Sequence, residues 1–272
     1  VSVVAAPAPS RVIRVTQARV ALSEWTKLRS LRSTRWSLFA SVVLTIGFPA
    51  LFAAVISSHW GSMRPGERAN RHPLDVALAG VNVSQLSIAV LGVLVISGEY
   101  STGMIRATMS AVPKRLPVLW AKTAVFAAVT FLLMLPSVLI AFFVSQAILG
   151  RHDILQVSFS APGVARTVIG GALYLTVTGV FALAIGAIVR NTAGGIATFV
   201  GILFVIPPLM NVLPSSWNNA ISPYLPSEAG RQIFALTHDS GSLSAWPGFA
   251  LYCGYTAALI AVAAFLLARR DT

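Results

Sequence analysis

The chain has 272 residues, of which 56% are hydrophobic and only 10% charged, with a mean hydropathy of +0.78. A soluble domain carries about 25% charged residues, so this composition excludes a water-soluble particle and points to a chain that crosses a bilayer several times. The net charge of +12 would suggest nucleic acid in a soluble protein. Here the basic residues cluster near the ends of apolar runs, which fits topology signals and anionic headgroups, and no nucleic-acid partner is expected.

Residues 1–14 read as a disordered lead-in, with Pro7 and Pro9 ahead of Arg11 and Arg14. It does not read as a secretory signal, because its positive charge follows the apolar residues instead of preceding them. Residues 15–35 predict an amphipathic helix. Val15, Ala18, Leu22, Trp25 and Leu28 recur at three- and four-residue spacing, accompanied by Arg19, Lys27, Arg29, Arg32 and Arg35. Such a helix lies in the membrane interface, basic side toward anionic headgroups. Six apolar runs follow, at 36–57, 76–97, 118–148, 163–189, 193–213 and 247–268. The third is longer than a bilayer needs and carries a kink point at Pro136. The expected fold is an all-α membrane protein: six transmembrane helices behind an N-terminal interfacial helix, with 15–272 forming a single transmembrane domain.

Counting basic residues on alternate sides assigns 14 of the 20 to the side holding both chain ends, the 98–117 loop and the 190–192 turn. That side is expected to be cytoplasmic, in a multi-pass protein of the cell membrane. The histidines His59, His72, His152 and His238 fall in loops on the other side, at spacings that match no ligand motif. In the loop 214–246, Ser227 and Glu228 suggest the start of a short helix. The sequence leaves open whether residues 221–237 dip back into the membrane.

Absent chemistry narrows the function. Glu24, Glu67, Asp75, Glu99, Asp153, Glu228, Asp239 and Asp271 all fall in loops, tails or span edges. A proton-coupled transporter commonly needs carboxylates or histidines inside the membrane, and a membrane protease needs paired aspartates or an H-E-x-x-H pattern. The single cysteine, Cys253, provides neither a disulfide nor a cysteine-based metal site within these residues. No P-loop is present, since Lys27, Lys114 and Lys122 follow Thr26, Pro113 and Ala121. No catalytic residue, metal or cofactor is expected, and any energised work needs a separate nucleotide-hydrolysing chain.

The most distinctive segment joins the second and third spans: Gly98-Glu99-Tyr100-Ser101-Thr102-Gly103-Met104-Ile105-Arg106-Ala107-Thr108, continuing to Pro113-Lys114-Arg115. Gly98 ends the apolar run, and Glu99 and Arg106 are placed to pin a short surface helix. This stretch resembles the corresponding loop in permease subunits of type-2 ABC exporters, and Ser23-Glu24-Trp25 through Trp36 is similar to the segment that introduces their first span in bacterial, actinobacterial-looking members. Many members carry Thr where Met104 stands. The resemblance covers essentially the whole chain. It implies an exporter permease without enzymatic activity of its own, partnered by a cytoplasmic ABC ATPase subunit and a second permease copy in a homo- or heterodimer. It also implies that Glu99, Tyr100, Gly103 and Arg106 belong to the element that couples to the ATPase.

The family further implies that the second and fifth spans line the substrate path. Asn82 and Gln85 share one face of the second span and need polar partners or a cavity; a helix–helix hydrogen bond satisfies them equally well. Pro207 and Pro208 should break the fifth span. Gly179, Ala182, Gly186, Gly194 and Gly201 allow close helix packing. Two other functional classes stay open: a secondary transporter driven by an ion gradient, and a non-transporting membrane scaffold or sensor subunit. The transported substrate is not legible.

Overall fold

A computed structural model describes residues 16–69, 71–101, 103, 115–151, 154, 156–237 and 241–269. The lead-in, Val15, Arg106, His152 and His238 lie outside the described residues. Among the described residues every regular element is helical. In chain order these are α1 (Gln17–Ser30), α2 (Arg32–His59), α3 (Pro65–Ala69), α4 (Pro73–Ser101), α5 (Arg115–Gly150), α6 (Val164–Val189), α7 (Thr192–Val200), α8 (Ile206–Met210), α9 (Ser215–Ile221), α10 (Pro226–Arg231) and α11 (Ala245–Arg269). Six helices are long and apolar enough to cross a membrane: α2, α4, α5, α6, the α7–α8 unit and α11. The chain is a multi-pass membrane protein.

Burial ranks the spans. The most apolar window of α6 is 72% buried and that of α4 is 61%, against 28%, 17% and 22% for the first, fifth and sixth spans. Helix α6 is therefore the central post, and the first, fifth and sixth spans turn most of their surface outward. The sequence of α6 suits this place, because small residues let backbones approach. A Cβ on Gly92 of α4 would collide with the Gly179 carbonyl oxygen, and one on Gly186 would stand 3.1 Å from the Val93 backbone. Gly92 escapes the spacing argument, since only its partner helix reveals it.

Helix α1 is shorter than the predicted 15–35 and is separate from the first span. Leu31 is extended (φ −74°, ψ 122°) between α1 and α2. Its protein-facing row is Val20, Glu24 and Leu28. Of the predicted apolar stripe, Leu28 belongs to that row, whereas Leu22 and Trp25 are 64% and 45% exposed. Helix α5 continues through Pro136 without interruption.

The fifth span does break where its prolines stand. Residues Gly201–Val205 are π-helical between α7 and α8, and the Ile206 N–H donates to the Gly201 carbonyl. Proline has no N–H to return to the fourth residue back, and its ring crowds that carbonyl. Pro207 and Pro208 thereby release the carbonyls of Leu203 and Phe204, and the wider turn absorbs the misfit. A Cβ on Gly201 would meet nothing within 4 Å, so its smallness serves no packing in this chain.

Candidate functional site

Two polar constellations lie inside the bundle, one near each end of α4. The first gathers four charges from three helices. Helix α1 brings Glu24 and Lys27, three residues apart and hence neighbours on the helix surface. Val20 packs with Val118 and Ala121 of α5, and Leu28 joins the cluster around Leu91, Val95 and Leu119. These apolar contacts on either side press the Glu24 carboxylate inward, where it is 2% exposed. There it meets Lys122 of α5, itself 4% exposed. Lys122 also donates to Glu99, in the last turn of α4, at 2.9 Å. Lys27 donates to Glu24 at 2.8 Å and to Glu99 at 2.9 Å. Two carboxylates and two ammoniums make the quartet neutral, which is the condition for burying charge at tolerable cost. Burial pulls the Lys27 ammonium down, but its hydrogen bonds to Glu24 and Glu99 and their charges outweigh this, and its pKa lies above the ordinary lysine value. The Glu99 Oε2 atom is buried with no hydrogen-bond partner.

The acidic residues of the quartet keep to the expected places, Glu24 on the helix before the first span and Glu99 at the end of the second, but the sequence reading missed that they are buried together with Lys122. Glu24 reads as a tail residue and Lys122 as a flanking charge, because each stands alone among apolar neighbours in the sequence. Only the docking of α1 on α5 brings them together. Lys122 is seven residues from the start of α5, about 10 Å along the helix, so the quartet sits toward one end and not at mid-span.

Of the residues expected to couple to an ATPase, Glu99 is a quartet member. Tyr100, one residue on, has the Arg190 guanidinium 5.1 Å from its ring centroid. Gly103 has φ +70°, a left-handed conformation that suits glycine just past a helix end; its N–H donates to the Tyr100 carbonyl at 3.3 Å. Beside them, Ser97 and Thr192 share a hydroxyl hydrogen bond of 2.8 Å that joins α4 to the start of α7. Among the described residues Glu99 pairs with Lys27 and Lys122; Arg106, its expected neighbour, lies outside them.

The second constellation involves Asn82 and Gln85, toward the other end of α4. The Tyr174 hydroxyl donates to Gln85 Oε1 at 2.6 Å. Gln85 Nε2 donates to the Asn82 carbonyl at 2.9 Å, and Arg231 donates to Asn82 Oδ1 at 2.7 Å. Protein partners thus take up both amide oxygens and the Gln85 nitrogen. Asn82 also lines a cavity of about 320 Å³ with Asp75, Glu228, Arg231 and Gln232, whereas Gln85 does not reach it. Pro207 and Pro208 remain in the outward-turned fifth span, away from this cavity's lining.

Arg231 arrives on α10, which is wedged between α6 and α11. A Cβ on Gly230 would stand 2.7 Å from the Tyr252 ring and 2.9 Å from that of Tyr174. One on Gly170 would stand 2.5 Å from the Ile233 carbonyl, and one on Gly248 2.7 Å from the Ala229 carbonyl. Arg166 closes the wedge by donating to the Ile233 and Ala235 carbonyls at 3.1 and 3.0 Å. Tyr174 lies ten residues into α6, so the segment reaches about 15 Å down that helix. The N-cap is Leu225 with Pro226 first in the helix, so Ser227 does not cap it as expected; its Oγ is buried and unpartnered. Of the histidines, His59 lies within hydrogen-bonding distance of the Val55 carbonyl at 3.0 Å, and among the described residues no group of side chains could hold a metal ion.

No protein-family model matches the sequence, and no curated protein is significantly similar to it.

Proposed function

We propose that this chain is the membrane-spanning permease subunit of an ATP-driven exporter of the type-2 ABC class. It moves an unidentified substrate out of the cytoplasm or inner leaflet using ATP hydrolysed by a separate ATPase subunit, and it works beside a second permease copy. The observation that carries the reading is the quartet. It fastens α1 to both flanks of the 102–114 segment, through Glu99 before it and Lys122 after it. A push on that segment from a docked ATPase would reach α1, α4 and α5 together, and α4 packs directly on the central α6 through Gly92 and Gly179. The charge bias places this end in the cytoplasm and both chain ends with it.

The test is affinity purification of the full chain from its native membrane. An ABC ATPase co-purifies with the wild type and is lost from a Tyr100→Ala/Arg106→Ala variant that still folds. Absence of any ATPase from the wild-type preparation overturns the proposal.

A second reading, a gradient-driven transporter, draws on the same quartet, because it buries ionisable groups within a bundle. Its full pairing and its place toward one end argue against it, since a proton relay needs groups that open to both sides. Vesicle transport by the chain alone, driven by a proton gradient without ATP, would establish it.

A further inference from the structure

At the elbow where α1 gives way to α2, a cleft of about 560 Å³ is lined by Arg32, Arg35, Trp36 and Phe39. Three observations define what it can hold. First, neither guanidinium has an ion-pair or hydrogen-bond partner among the described residues. The two carboxylates described at this end of the bundle, Glu24 and Glu99, are both occupied by Lys27 and Lys122 in the quartet. Among the described residues, the acidic groups at this end are paired with lysines and none pairs with these arginines. Second, Arg32 and Arg35 are three apart, so both can converge on one anion, and guanidinium donors match phosphate oxygens in pairs. Third, the wall below them is apolar and outward-facing. Trp36 is 70% exposed, Phe39 59%, Val43 47% and Leu51 64%, at helical spacing down α2.

We propose that this cleft binds one anionic phospholipid, its headgroup phosphate between Arg32 and Arg35 and an acyl chain along Trp36, Phe39 and Val43. An aromatic wall with a cationic rim suits the boundary between headgroups and hydrocarbon. The run from Arg35 to Val43 covers about 12 Å of helix, close to the reach of one leaflet's chains. The site needs only that α2 spans the bilayer, and it stands whether or not the chain is an exporter.

The full chain, purified and reconstituted in nanodiscs of phosphatidylcholine doped with phosphatidylglycerol, tests this by native mass spectrometry of retained lipid. The wild type should keep one phosphatidylglycerol with about a tenfold preference over phosphatidylcholine, set by two phosphate-facing arginines. Arg32→Gln/Arg35→Gln should lose that preference while still retaining lipid. Arg19→Gln/Arg29→Gln on α1 should keep it, and millimolar inorganic phosphate should not displace the lipid. If the Gln pair fails to fold, Trp36→Ala/Phe39→Ala supplies the second arm and should retain less of both lipids. Equal retention of the two lipids by the wild type overturns the proposal. So does an unchanged preference in Arg32→Gln/Arg35→Gln, an equal loss in the α1 variant, or competition by free phosphate.

Discussion

Lys122 is 4% exposed and is held by Glu24 and Glu99; its removal shows what a buried neutral quartet costs to break. Lys122→Met leaves two carboxylates facing one ammonium, and loss of one partner from a buried ion pair costs about 3 kcal/mol or more. We expect a clear drop in the thermal unfolding midpoint in detergent. Lys122→Met/Glu24→Gln restores neutrality with the Lys27–Glu99 pair intact and should recover much of the loss; a double variant as unstable as the single one would show that packing and not charge is at stake. The Lys27 pKa carries its own signature. It is raised in the folded protein, so its contribution is complete below the unfolded lysine value of about 10.4 and fades as pH climbs through the folded value. A spin label at Arg19→Cys should report a docked α1 through neutral pH and release only in strong alkali. Release on acidification between about pH 9 and 6 would contradict this assignment, because Lys27 is already protonated and neither gains nor loses a proton in that window.

Among the elements, the fifth span and α10 carry the irregular backbone. The π segment exists because two adjacent prolines cannot return hydrogen bonds to Leu203 and Phe204. Pro207→Ala/Pro208→Ala should let α7 run through to α8, with slower amide exchange across residues 203–210. Unchanged exchange would mean that neighbouring helices impose the break. The break was legible in the sequence, because proline acts on its own backbone. The wedge of α10 was not, since it depends on Gly170, Gly230 and Gly248 meeting from three elements. Gly230→Leu should therefore expel α10 from between Tyr174 and Tyr252 and break the Arg231–Asn82 bond, measurable as new protease access at Arg231. Full protection in that variant would refute the close fit.

At the scale of the whole molecule, the burial gradient from α6 outward matches a chain whose first, fifth and sixth spans face lipid or another copy. The charge bias predicts that cysteines placed at Ser62 and Ser215 are labelled from outside intact cells, and that one at Ser30 is labelled only after permeabilisation. The reverse pattern would invert the topology and move the quartet to the outer face. The functional reading would then fail, because no ATP reaches that side.

Some of this needed nothing beyond the order of residues. Six apolar stretches of bilayer length, a proline-broken fifth span and a basic bias at one side follow from local chemistry, since solvation and backbone geometry act within a few residues. The neutral quartet, the pairing of Gln85 with Tyr174, the seating of α10 and the lack of an acidic partner for Arg32 and Arg35 among the described residues belong to the tertiary structure. Each depends on which side chains from distant elements come within hydrogen-bonding distance. A buried charge is defined by its partner, and no single segment contains both.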